Sequence, residues 1–291
     1  MQKSTLLKSM ILRQEILVMP GAYDPISARL IERAGFEAVQ CTGLGITAAA
    51  LGLPDFSVIG MSDMAARTAR IVRATALPVM ADGDNGFGNA VNTFLTVQEF
   101  EAVGIAGINL EDQQQPKRCG HLDGKQIIST AEMVQKIRAA AEARQDSDLV
   151  INARTDSLAL GGVEEVLRRG NAYLEAGADM VFVDGVDNED YITRLVRGVR
   201  GPIAVNMVEG GKTPPGSDGG APAVAGRRPR QPAGHCPSGG RSGYEGGARQ
   251  AQNKRRPHGL PSRSCRVRGT TWFDRHGSRA RNGTALRHAP G

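Results

Sequence analysis

The chain has 291 residues, 40% of them hydrophobic, enough for one large core, since single α/β barrels reach about 250 residues. Its net charge of +6 is unevenly placed: residues 216–291 hold 15 Lys and Arg against only Asp218, Glu245 and Asp274, so residues 1–215 are net acidic. A nucleic acid or an anionic membrane is therefore excluded as the partner of the first three quarters of the chain.

The first apolar stretches, around Leu6, Leu7 and Ile16 to Met19, are interrupted by Lys8, Arg13 and Glu15 and are too short for a signal segment or a spanning helix. Cys41, Cys119, Cys236 and Cys265 form neither a metal-binding spacing nor a disulfide framework. A soluble protein in a reducing cytoplasm is the expectation.

From Ile16 to Val208, short β-branched runs alternate with longer amphipathic stretches. Strands are predicted at 16–20 (ILVMP), 38–42 (AVQCT), 78–82 (PVMAD), 107–111 (GINLE), 149–154 (LVINAR), 180–184 (MVFVD) and 203–207 (IAVNM). The first helix is DPISARLIERAG, with Ile26 and Leu30 on one face and Gly35 closing it. Further helices are STAEMVQKIRAAAEAR, opened by Ser129 or Thr130 as N-cap, and GVEEVLRRGNAYLEAGAD, stopped by Gly177.

Alternating strands and helices require parallel crossovers, in either a doubly wound sheet or a (β/α)8 barrel. No G-x-G-x-x-G follows the first strand, and EGGKT (209–213) lacks the first glycine of a phosphate loop. Instead, polar side chains stand at nearly every strand end: Tyr23 and Asp24, Thr42, Asp82 and Asp84, Glu111 and Asp112, Arg154, Asp184 and Asn206. One site fed by many strand ends is the barrel arrangement.

Carboxylates clustered there repel one another unless a cation such as Mg²⁺ lies among them. Arg154, ending an apolar strand, is expected to face anions, either Glu111 or a substrate carboxylate. Cys119 and His121 lie in a long polar loop, where Lys117, Arg118 and His121 would favour an ionised thiol; Cys41, inside a strand, belongs to the core.

Together, CTGLGITAAALGLPD, ADGDNGFGN, GINLEDQQQPKRCGHLDGK, INARTD and VNMVEGGKTP resemble the isocitrate lyase and phosphoenolpyruvate mutase superfamily over about residues 5–215. The nearest branches are the 2,3-dimethylmalate lyases, methylisocitrate lyases and carboxyphosphonoenolpyruvate phosphonomutases. The resemblance implies a (β/α)8 barrel, Mg²⁺ or Mn²⁺, and cleavage of a carbon-carbon bond in a 2-hydroxy di- or tricarboxylate. It implies Tyr23 as the base near the substrate hydroxyl, and main-chain N–H groups of Thr42, Gly43 and Leu44 on a carboxylate. Asp82, Asp84 and Glu111 would hold the metal directly or through water, with Asp184 in its outer shell. Cys119 would protonate the enolate product, helped by Gly120 and His121, while Arg154 and Asn206 bind substrate. A homotetramer is implied for intact members. Asp184 stands where the family usually has Glu, Leu44 replaces a smaller residue, and Leu122 stands where methylisocitrate lyases often carry Arg.

After GGKTPP the composition changes abruptly: residues 216–291 contain 15 Gly, 7 Pro and 14 Arg, but few large apolar residues. Such a segment cannot offset its ordering entropy, so a disordered tail after a domain at 1–215 is expected. A shift of reading frame near codons 213–218 would produce this change. The expected barrel is then incomplete, with seven strands, an open seam between the first and the last, and little activity.

Overall fold

A computed structural model describes residues 1–117 and 124–207. Cys119, Gly120 and His121, and the tail expected at 216–291, lie outside the described residues. The elements in chain order are α1 (Lys3–Leu12), β1 (Gly21–Ala22), α2 (Pro25–Arg33), β2 (Val39–Cys41), α3 (Gly43–Leu51), α4 (Met61–Ala74), β3 (Val79–Asp82), α5 (Ala90–Ala102), β4 (Gly107–Glu111), α6 (Thr130–Ala143), β5 (Val150–Thr155), α7 (Leu158–Glu175), β6 (Met180–Val183), α8 (Glu189–Gly198) and β7 (Ile203–Val205). The seven strands are all parallel and pair in chain order, a curled part-barrel in which β1 and β7 are not paired among the described residues.

The strand period of two divides each strand between two cores. Val39, Val79, Ile108, Leu110 and Ile151 pack outward against Phe100, Met133 and Ile137 of the helices. Met80, Val150, Met180, Phe182 and Ala204 point inward, where Leu7 and Ile11 of α1 join Leu17 and Met19 to fill the N-terminal end. Helix α1 is an addition to the expected elements. It also corrects the first strand: Leu17 and Met19 belong to the inner core, and pairing begins only at Gly21, after Pro20, which has no N–H for the ladder.

Ser129 caps α6 by accepting from Glu132 N, and Gly177 after α7 has φ +115°, as the sequence suggests. Helix α2 turns differently. Asp24 and Ser27 close a capping box at its start, and Gly35 with φ +86° follows its end, but Ala28 and Ile31 face the core while Ile26 and Leu30 are exposed.

On α7, Glu165 accepts hydrogen bonds from Arg168 Nε and Nη2 and from Arg169 Nε, and the Arg168 bonds hold its carboxyl at about 2. A carboxyl depressed on folding contributes stability that is present above its unfolded value of 4.5 and lost as pH falls toward about 2. Because the pair is largely solvated, melts between those limits should show Glu165→Gln flattening the acid decline by only about one or two degrees. An unchanged acid slope in Glu165→Gln would contradict this.

Candidate active site

The C-terminal ends of β2, β3, β4, β5 and β6 bring together most of the expected side chains. Asp82 ends β3, its Oδ2 accepting from Gly43 N at 2.9 Å and its Oδ1 from Asp84 N at 3.1 Å. This close approach requires glycine at 43, where a Cβ would lie 2.5 Å from Asp82 Oδ2. Asp84 takes a left-handed conformation, φ 48°, which a short acid tolerates better than most residues. Thr42 caps α3 by accepting from Gly45 N at 3.2 Å, and Tyr23 packs so closely on that first turn that a Cβ at Gly45 would lie 2.9 Å from its own Cβ.

The main-chain donors expected for a carboxylate are thus partly engaged. Thr42 N–H bonds Ala22 O and Gly43 N–H bonds Asp82, while Leu44 lies in the first turn of α3, where N–H groups lack intrahelical acceptors. Asn206, half-buried, follows the end of β7.

Lys117 sits deep in the acid cluster. Its Nζ is 2.7 Å from Asp55 Oδ2 and 2.5 Å from Asp84 Oδ1, with the lysine side chain only 3% exposed. Burial alone would lower its pKa, but Glu111, Asp84, Asp82 and Asp55 outweigh it and hold the ammonium well above the usual lysine value. Lys117 was expected to promote a thiolate at Cys119, which lies outside the described residues; among those described, its charge is paired with Asp55 and Asp84.

Beside it, Arg154 is surrounded by acids. Its Nε reaches Asp156 Oδ2 at 2.9 Å and Glu111 Oε2 at 3.2 Å; its Nη2 reaches Asp156 Oδ1 at 3.0 Å and Asp184 Oδ2 at 2.9 Å. Its guanidinium carbon lies 5.1 Å from the centre of the Phe182 ring. Lys125 Nζ adds a 2.9 Å bond to Asp156 Oδ1. Asp112 departs from the expected acid cluster: consecutive strand residues face opposite ways, so Glu111 joins the mouth while Asp112 turns outward toward α7.

Among the described residues, six carboxylates (Asp55, Asp82, Asp84, Glu111, Asp156 and Asp184) therefore share the mouth with three cations, Lys117, Lys125 and Arg154. Burial, only partly offset by Lys117, pushes Asp84 up to about 7, and burial pushes Glu111 up to about 8 despite Arg154. Glu111 Oε1 and Asp184 Oδ1 are buried without a hydrogen-bond partner among the described residues. Hard oxygens, excess negative charge and orphaned acceptors suit a divalent cation. Among the described residues no three acid, His or Cys side chains converge as a direct ligand set, so such an ion would be held largely through water, as Mg²⁺ commonly is.

The residues and the architecture agree with a broader comparison. Residues 7–218 match the phosphoenolpyruvate phosphomutase family. The chain belongs to that family. It is 45% identical over 214 residues to the 2,3-dimethylmalate lyase of Eubacterium barkeri, covering 74% of each chain. It is 44% identical over 208 residues to the 2-methylisocitrate lyase of Aeropyrum pernix, covering 72% of this chain and 67% of that one. Oxaloacetate acetylhydrolase, solved with the inhibitor 3,3-difluorooxalacetate, superposes with a TM-score of 0.70 at 35% identity, over 73% of this chain and 74% of that one.

Several members of this phosphomutase-family site escape a reading of strand ends. Asp55 lies between α3 and α4, in an apolar Leu-Gly-Leu-Pro-Asp-Phe run where a lone buried acid is its one signal. Asp156 is one residue past β5, and Lys117 and Lys125 reach in from the connection between β4 and α6. Cys41 is core, as expected, and burial raises its thiol to about 12.

Proposed function

We propose that the chain is a Mg²⁺-dependent carbon-carbon lyase acting on a 2-hydroxy dicarboxylate or tricarboxylate of the dimethylmalate or methylisocitrate kind. The observation that carries this reading is Arg154, half-buried beside a cluster in which, among the described residues, carboxylates outnumber cations. A substrate with carboxylates at both ends would meet the guanidinium at one end and the cation held near Asp82, Asp84, Glu111 and Asp184 at the other. A bound Mg²⁺ would supply Lewis-acid stabilisation of the negative charge that develops as the bond breaks.

The chain's own groups divide the remaining work. Tyr23 takes the proton of the substrate hydroxyl, a role its packing on the start of α3 supports. Arg154 anchors a carboxylate, and Lys117 keeps Asp55 and Asp84 in place. Cys119 supplies the proton to the enolate-like product, with Gly120 and His121 beside it in sequence. Likeness to the dimethylmalate and methylisocitrate lyases supports the lyase, and a phosphonomutase, the activity for which the family is described, is the second reading.

The test is to incubate the full chain and Mg²⁺ with 2,3-dimethylmalate, 2-methylisocitrate, isocitrate, oxaloacetate or a phosphonate substrate, and to measure pyruvate, glyoxylate, oxalate or phosphonate rearrangement. Pyruvate release, slow because the barrel is expected to be incomplete, that stops in excess EDTA and in Cys119→Ala is the expected result. Turnover that persists in EDTA would remove the cation from the mechanism, and rearrangement of the phosphonate alone would assign the mutase.

A further inference from the structure

We propose that Asp112, Tyr173 and Arg169 are positioning residues for Arg154, reaching it through the main chain at the end of β5. The proposal rests on reading Arg154 as the anchor for a substrate carboxylate.

Asp112 is fully buried and grips three consecutive residues of that strand end. Its N–H donates to Arg154 O at 3.2 Å, its Oδ2 accepts from Thr155 Oγ1 at 2.7 Å, and its Oδ1 accepts from Asp156 N at 3.0 Å. The last bond matters most. The β5–β6 ladder ends at Thr155, so the N–H of Asp156 has no strand to pair with, and Asp112 supplies its acceptor.

Helix α7 holds Asp112 in turn. Tyr173 OH donates to Asp112 Oδ2 at 2.8 Å, and Arg169 Nη1 donates to the same oxygen at 3.1 Å and to Ile128 O at 3.0 Å. Burying a carboxylate, a guanidinium and a phenol between a helix and a sheet is an expensive way to fill space, and apolar side chains of similar volume commonly do so at lower cost. What this network adds is a fixed Asp156. That carboxylate accepts from Nε and Nη2 of Arg154 and so sets the plane of the guanidinium. Among the described residues none of these bonds uses Nη1 of Arg154, the nitrogen that the proposal assigns to the substrate carboxylate.

Tyr173→Phe removes one bond to Asp112 with little change in volume, and Thr155→Val removes another; Thr155→Ser keeps the hydroxyl and serves as the rescue. Two readouts apply to the full chain. The first is the rate at which phenylglyoxal modifies Arg154, followed by peptide mass spectrometry. The second is the affinity for oxalate in the presence of Mg²⁺, by calorimetry.

Tyr173→Phe and Thr155→Val should show several-fold faster modification of Arg154 and about tenfold weaker oxalate binding, with folded circular-dichroism spectra, while Thr155→Ser stays near the parent. Unchanged Arg154 reactivity in both folded variants would overturn the proposal. Loss of the folded state in both would also overturn it, because the network would then be needed for folding rather than for alignment. If the parent chain binds no oxalate, the substrate-anchor reading fails, and the reactivity of Arg154 still decides whether the network positions it.

Discussion

Lys117→Met is expected to destabilise the metal-free chain by about 3–5 kcal/mol, the largest stability effect of any substitution at the mouth. The ammonium lies within 2.7 Å of both Asp55 and Asp84, and both carboxylates are almost wholly buried. Methionine keeps most of the side-chain volume but leaves four neighbouring acids, Asp55, Asp82, Asp84 and Glu111, without that charge. Part of the loss would be relieved as some of these acids take up protons, and part should be reversed by Mg²⁺. Ligand at a hundred times its dissociation constant stabilises a binding state by about 2.7 kcal/mol. Thermal melts of the parent and of Lys117→Met, each in EDTA and in saturating MgCl₂, give the comparison. The variant should gain more from Mg²⁺ than the parent does. Equal melting temperatures in EDTA would show that Lys117 does not carry the charge balance of the cluster, and destabilisation that Mg²⁺ leaves untouched would argue against a cation site there.

Arg154→Lys should retain the fold and lose affinity for oxalate by a factor of about 100, while Arg154→Met should also lower the melting temperature by about 10 °C. Lysine preserves the positive charge but presents a point rather than a planar fork. It cannot face Asp156, Asp184 and Glu111 together and still offer a nitrogen to a ligand, as the guanidinium does with Nε and Nη2 engaged. Among the described residues, methionine leaves Asp156 and Asp184 with Lys125, and Glu111 with Lys117, as neighbouring cations. Calorimetry with oxalate and Mg²⁺ separates the two effects from a melt recorded on the same samples. Parent-like oxalate binding by Arg154→Lys would place the carboxylate anchor elsewhere, and Asn206 would be the next residue to test.

Much of this architecture is legible in the chain itself. Six of the seven strands, β2 to β7, overlap their predicted places because each is a short, largely apolar run, the pattern that a parallel sheet covered on both faces demands. Asp82, Glu111, Arg154 and Asp184 could be nominated because a charged residue closing such a run has only the barrel mouth to occupy. The first strand was less legible, since Leu17 and Met19 look the same in sequence whether they extend a strand or plug a barrel. Helix α2 failed in a similar way: Ile26 and Leu30 share a face, but which face meets the core is decided by where the helix docks, and Ala28 and Ile31 took that place.

The partners of the charged groups were decided only by tertiary structure. Nothing in the order of residues distinguishes Glu111, which enters the mouth, from its neighbour Asp112, which turns to Tyr173 and Arg169 some 60 positions away. Asp55 and Lys117 are likewise separated by 62 residues and meet at 2.7 Å. Periodicity is a local property and reports which residues are buried. Pairing of charges depends on side-chain direction and on distances set by the curled arrangement of strands and helices, so the acids and the arginine at strand ends were readable from sequence, and Asp55, Asp156, the two lysines and the contacts that tune the site were not.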